Sequence, residues 1–305
     1  MKLVFAGTPQ VAVPSLTALA DSGHEVAAVI TREDAPLGRK RVLTPSPTAV
    51  AAAALGIPLI KANRLGDAAT AEITALRPDL GVIVAYGGLV REPLLSVPRL
   101  GWINLHFSLL PRWRGAAPVQ RALMAGDETT GAVVFQLVRE LDAGPVFGTL
   151  TEQIGRHATS GSLLESLSFS GARLLLGVVD ELAAGTASAS KQHGEVTLAP
   201  KLTLEDAHID WSAPATAVYN RVRGVTPEPG AFTVVNDARL KLLAVAPGYG
   251  APPQTAGVIR EIDKHVLVGT GTEPIELITV QPAGKTAMKA IDWWRGVAAN
   301  EVVAS

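Results

Sequence analysis

Short, uniformly apolar runs alternating with helical stretches set the first limit on what this chain can become. Residues 3–6 form one such run, a segment led by Pro14 and closed at Gly23 follows, and a second run occupies 26–30. Pro suits the first turn of a helix and Gly its end, so the stretch between the runs reads as a helix. Ser46-Pro47 opens an Ala-rich helix that Gly56 stops, and 57–60, 80–85 and 102–105 supply further strands. Strands this apolar are covered on both faces, the pattern of a Rossmann-like, doubly wound parallel α/β sheet. A strand pair at 132–138 and 145–149 and a long helix at 162–183, apolar at every third or fourth position, complete this part.

After Gly185 the pattern changes. Residues 186–208 are rich in Ser and Thr and contain Pro200, which reads as a connector. A helix from 212 to about 222 then leads into five short β-rich runs at 231–235, 240–245, 257–262, 265–268 and 275–280. Five short strands punctuated by Gly and Pro predict a small β-barrel or sandwich, with the OB-like barrel as one form. With 305 residues there is length for two domains. The expected division is 1–187, a linker at 188–206, and 207–305.

Several kinds of chemistry are excluded by inventory. There is no Cys, so disulfides, thiolate nucleophiles and cysteine-ligated metal centres are ruled out. Gly7-Thr8-Pro9 follows the first strand but lacks the G-x-G-x-x-G spacing of a dinucleotide fingerprint, and Gly269-x-Gly271 lies in the β-rich tail with no helix after it. Gly7 reads as a tight strand-to-helix turn. No P-loop, paired-histidine metal helix or nucleophile-elbow serine is present. No secretory signal or unbroken membrane-spanning run is visible, which predicts a cytoplasmic, soluble protein with no membrane partner and no obligate protein partner. Lys and Arg number 27 against 28 Asp and Glu, so any polyanion must be met by a local cluster of charge.

The most informative segment runs from Asn104 through His106 and Ser108 to Leu109, Leu110 and Pro111, leaving the strand at 102–105. On an extended chain Asn104, His106 and Ser108 project to one face. An amide and an imidazole side by side at a strand end can stabilise developing negative charge, and they serve equally well as structural hydrogen-bonders. Leu109, Leu110 and Pro111 form an apolar wall. Arg112 and Arg114 read as surface charges.

Asn104-x-His106-x-Ser108-Leu109-Leu110-Pro111, followed by Leu141-Asp142-x-Gly144, resembles the signature of the folate-dependent formyltransferases. The stretch from Arg112 to Pro118 narrows the likeness to the branch that formylates methionyl-tRNA. Phe5-Ala6-Gly7-Thr8-Pro9, Ala85-Tyr86-Gly87, Ala199-Pro200-Lys201-Leu202 and Gln281-Pro282-Ala283-Gly284-Lys285 extend it almost end to end. The resemblance implies transfer of a formyl group from 10-formyltetrahydrofolate to the α-amine of methionyl initiator tRNA, without a metal. It makes Asn104 and His106 donors to the oxyanion, and Asp142 the partner that favours charged His106 and relays the amine's proton. Ser108, Leu109, Leu110 and Pro111, with Tyr86, Gly87 and Gly88, would wall the folate cleft.

The resemblance also makes Arg39, Lys40 and Arg41 a tRNA-binding loop, to which Arg32 adds charge. Arg221, Arg223, Arg239, Lys241, Lys285 and Lys289 would form a basic face on the C-terminal domain. Three positions depart from the family pattern: Lys40 and Glu140 each stand where a Gly is usual, and Glu228 where a Trp is usual. The signature is shared with relatives acting on amino sugars. A sugar-amine formyltransferase, or a non-catalytic folate- or RNA-binding relative, is the alternative expectation.

Overall fold

The central apolar runs, at 3–6 and 80–84, become strands buried on both faces. In the computed structural model, which describes every residue except Arg39, Tyr249 and Ala298, the chain divides into two compact units. The first comprises 1–118, 129–153 and 164–199, and the second 119–128, 154–163 and 200–305.

In chain order the first part contains β1 (Lys2–Gly7), α1 (Val13–Ala20), β2 (Glu25–Thr31), β3 (Ala35–Leu37), β4 (Val42–Thr44), α2 (Pro47–Ala54), β5 (Leu59–Lys61), α3 (Asp67–Leu76), β6 (Leu80–Val84), β7 (Trp102–His106) and β8 (Arg114–Gly115). Then come α4 (Pro118–Ala125), β9 (Thr129–Gln136), β10 (Val146–Gln153), α5 (Ser160–Ala184) and β11 (Leu198–Ala199). The main sheet runs β10-β9-β7-β6-β1-β2-β5. Strands β5, β2, β1, β6 and β7 are mutually parallel, whereas β9 and β10 join antiparallel. Leu3, Val4, Phe5 and Ala6 on β1 are all fully buried, as a central strand covered by helices requires.

Local signals fix several boundaries. The Ser46 hydroxyl accepts the Ala49 N–H at 3.0 Å, Pro47 takes the first position of α2, and Gly56 follows its end at φ +69°. The turn after β1 is tight, since a Cβ on Gly7 would lie 2.8 Å from Ala12 and from the Phe5 ring. Gly81 on β6 lies against the fully buried Trp102 indole, which a Cβ there would overlap. α5 is long and apolar enough to cross a membrane by composition alone, yet Leu167, Leu175, Val178 and Val179 along it are buried within the protein.

The second unit contains most of α4, the first turn of α5, α6 (Ala215–Gly224), β12 (Phe232–Val235), β13 (Ala238–Pro247), β14 (Val258–Ile262), β15 (His265–Val268), β16 (Ile275–Pro282), β17 (Met288–Lys289), α7 (Ala290–Trp294) and β18 (Val302–Val303). Its antiparallel path is β12-β13-β16-β15-β14-β18, with β17 beside β16. The path returns to its start. Val235 bridges Ala304, and Val234 and Ser305 exchange both backbone hydrogen bonds, at 2.8 and 3.0 Å. Trp211, Leu240, Leu242, Val266, Ile275, Leu277 and Trp294 fill the interior.

Candidate active site

β7 ends at His106, and the two-residue period of a strand puts Asn104 on the same face. The half-buried Asn104 amide makes no hydrogen bond among the described residues. His106 is buried, with its Nε2–H donated to the Trp113 carbonyl at 2.9 Å and its ring edge-on to Phe135. A carbonyl only accepts, so this bond assigns the Nε2–H tautomer to the neutral ring and leaves a lone pair on Nδ1. Nδ1 lies 3.8 Å from Asp142 Oδ2. Burial holds the His106 pKa below its ordinary value, while the Asp142 carboxylate and the Trp113 carbonyl pull the other way.

Asp142 is itself buried and adopts φ +47°, in the left-handed region that Asp tolerates better than most residues. Its Oδ2 accepts the Gly115 N–H at 2.8 Å. The Gln192 amide donates to the Asp142 and Gly144 carbonyls, at 2.8 and 2.9 Å, and accepts from Arg114 Nη2 at 2.6 Å. The same stretch continues with Thr197 accepting the Trp113 N–H and with β11 pairing alongside β8. No pattern in the sequence singles out Gln192 or Thr197, and Arg114 has there the look of a surface charge; the Ala199-Pro200-Lys201-Leu202 likeness is the one signal next to them.

The expected wall residues divide by role. Leu109 and Leu110 are partly exposed and Pro111 is buried. Ser108 is fully buried and its hydroxyl donates to the Arg112 carbonyl at 2.7 Å, which ties the turn after β7. The Tyr86 ring is buried and its phenol donates to the Ala62 carbonyl. Gly87 is exposed at φ +77°, and Gly88 lies against the Tyr86 ring.

The cations sort similarly. Arg39 lies outside the described residues, and Lys40 and Arg41 are exposed between β3 and β4. Arg32 does not belong with them: its guanidinium donates to the Asn63 and Gly87 carbonyls and lies over the Tyr86 ring, so it holds loops together. In the second unit Arg223 is buried and donates to the Ala158 carbonyl and to Asn220, and Arg221 donates to the Asp206 carbonyl. Burial withdraws Arg223 from phosphate contact, while Arg221 is half-buried and commits one N–H. Arg239 lies 4.1 Å over the Phe232 ring, whereas Lys241, Lys285 and Lys289 are exposed and form no ion pair among the described residues. No group of three or more His, Asp or Glu that could hold a metal occurs among those residues.

The family model described as "Formyl transferase" matches residues 1–179, and "Formyl transferase, C-terminal domain" matches 201–298. The chain is 60% identical over 304 residues to a protein of Clavibacter sepedonicus named methionyl-tRNA formyltransferase, covering 100% of each. Among solved structures, an N-formyltransferase from Helicobacter canadensis in complex with folinic acid and dTDP-3-aminofucose matches with a TM-score of 0.69 at 16% identity, over 92% of this chain and 99% of that one. HypX from Aquifex aeolicus in complex with tetrahydrofolic acid matches with a TM-score of 0.65 at 18% identity over 96% of this chain, which spans about half (46%) of HypX. At these identities the two structures establish a shared fold.

Proposed function

Because the chain belongs to the formyl transferase family in both of its matched regions, we propose that it transfers the formyl group of 10-formyltetrahydrofolate to the α-amine of methionyl initiator tRNA, giving N-formylmethionyl-tRNA for translation initiation. The observation that carries this reading is the end of β7, where an unengaged amide stands beside a buried imidazole–carboxylate pair. Likeness over the full length to a protein named for this acceptor supports the choice of substrate.

The folate co-substrate supplies an activated formyl carbon. One C–N bond forms to the amine, one breaks to the folate nitrogen, and the proton lost by the amine must reach the departing nitrogen. Asn104 is the free N–H donor for the oxygen that gains negative charge, a contribution typically worth ~10²–10³ in rate. His106, its pKa lowered by burial and its Nε2–H spent on the Trp113 carbonyl, serves as base in place of the expected second oxyanion donor: the bare Nδ1 takes the amine's proton with the Asp142 carboxylate beside it and returns it to the departing folate nitrogen. A chain-end amine has a reference pKa of ~7.7–8.0, so activating it is the smaller task. The partly exposed Leu109 and Leu110 and the exposed backbone at Gly87 are the surfaces offered to the folate, with the buried Pro111 behind them.

The division into a transfer domain at 1–187, a linker at 188–206 and a tRNA-binding domain at 207–305 belongs to the same proposal. The closed path from β12 round to Ala304 supports an OB-like barrel for the last of these. A cytoplasmic location follows from the acceptor. The test is formylation by purified protein with 10-formyltetrahydrofolate, with initiator methionyl-tRNA, elongator methionyl-tRNA and a nucleotide-linked amino sugar in parallel. Initiator tRNA should turn over fastest. A folded protein that leaves it unformylated, or prefers the sugar, refutes the reading.

A further inference from the structure

Gln192 comes from a stretch with no helical or strand period, yet its amide makes three hydrogen bonds, two to carbonyls within the Asp142–Gly144 turn and one from Arg114. That turn is constrained from the other side as well, since a Cβ on Gly144 would overlap the Gln136 carbonyl of β9. Asp142 holds a left-handed backbone, a sparsely populated conformation for a residue with a Cβ, which persists only where its surroundings over-determine it. The Gly115 N–H on its carboxylate and the Gln192 amide on its carbonyl are two such restraints, and both lead back to the Arg114–Gly115 strand.

We propose that Gln192 is a positioning residue for the transfer reaction: by gripping the Asp142 and Gly144 carbonyls while anchored by Arg114, its amide fixes the turn that presents the Asp142 carboxylate to His106. The proposal rests on the formyl-transfer reading for its effect on rate, but its structural content stands apart from it. Removing the amide frees the turn and lets the carboxylate move away from the imidazole. The effect belongs in the rate and in the titration of His106, since Gln192 touches neither substrate surface. Supporting groups around a reactive pair typically cost ~10–100-fold in activity when removed.

Two variants separate positioning from packing. Gln192→Ala removes the side chain; Gln192→Glu keeps its size and its partner Arg114 but has no N–H for the two carbonyls. With folding followed by circular dichroism, both should lose ~10–100-fold in kcat while KM for tRNA stays within about twofold. The second measurement is the titration midpoint of His106 in protein carrying ¹⁵N-histidine, assigned with His106→Gln. An anion beside an imidazole raises its midpoint, so Gln192→Ala, which brings no charge of its own, should titrate at lower pH than the parent. Gln192→Glu with the parent's kcat, or an unmoved His106 midpoint in Gln192→Ala, overturns the proposal. If the parent itself fails to formylate tRNA, the functional reading falls, and the His106 midpoint still decides whether Gln192 places the carboxylate.

Discussion

His106 has its two ring nitrogens committed to different tasks. Nε2–H anchors the ring to the Trp113 carbonyl and leaves Nδ1 as the basic atom facing Asp142. Burial lowers its pKa, so the folded protein binds this proton less readily than the unfolded chain, whose histidine titrates near ~6.5. Its contribution to stability is therefore fully present above that pH and is lost as the pH falls toward the depressed folded value. Melting temperatures of the parent and of His106→Gln should converge as the pH is lowered from neutrality through ~6; parallel curves would show that the buried ring does not titrate in this range. In the rate, His106→Gln should lose at least ~10² in kcat with tRNA affinity nearly intact, the mark of a group acting in the transition state.

The elements that were legible in the sequence are those whose burial writes a period. β1, β2, β6 and β7 lie inside the sheet and appear as unbroken apolar runs, and α2 is bounded by a cap and a glycine that act locally. The β3–β4 hairpin left no such trace, because Leu37, Val42 and Leu43 on it are exposed and no buried face imposes alternation. The stretch at 188–206 read as a connector for a related reason. Residues 190–199 are ordered by isolated hydrogen-bonded points at Ser190, Gln192 and Thr197, and such points have no periodicity to detect. Pairing between β6 and β7 gives a test of element packing. Gly81 faces Trp102 across the parallel ladder, and the indole is pinned by its own N–H to the Leu94 carbonyl at 2.9 Å. Gly81→Ala must therefore displace either the indole or the strand, and should destabilise by ~1–3 kcal/mol or more in urea unfolding. A change below ~0.5 kcal/mol would mean the indole has room to move.

Across the whole molecule the near-zero net charge hides an uneven distribution. Arg32, Arg221 and Arg223 hold carbonyls in place and Arg239 lies over the Phe232 ring, which leaves Lys40 and Arg41 in one unit and three lysines in the other. In that group Lys241 pairs with Gln281 and Lys289 with Thr279 across adjacent strands. Thr279 and Gln281 are two residues apart on β16 and flank the buried Val280, so both lysines project outward from the same face of the sheet, with Lys285 in the turn between β16 and β17. A compact trio of lysines on an otherwise neutral protein is how a polyanion is met locally, and each phosphate contact contributes roughly 0.7–0.9 to the slope of log affinity against log salt. Replacing Lys241, Lys285 and Lys289 together by Ala should raise KM for tRNA and reduce that slope by up to ~2–3, leaving KM for the folate unchanged because no residue of the β7 site is touched. The comparison is best made from 50 to 200 mM salt, where the parent's own slope is measured. If the triple variant keeps that slope while the Lys40→Ala, Arg41→Ala double variant loses part of it, phosphate contact lies with the hairpin and the β16 face carries none of it.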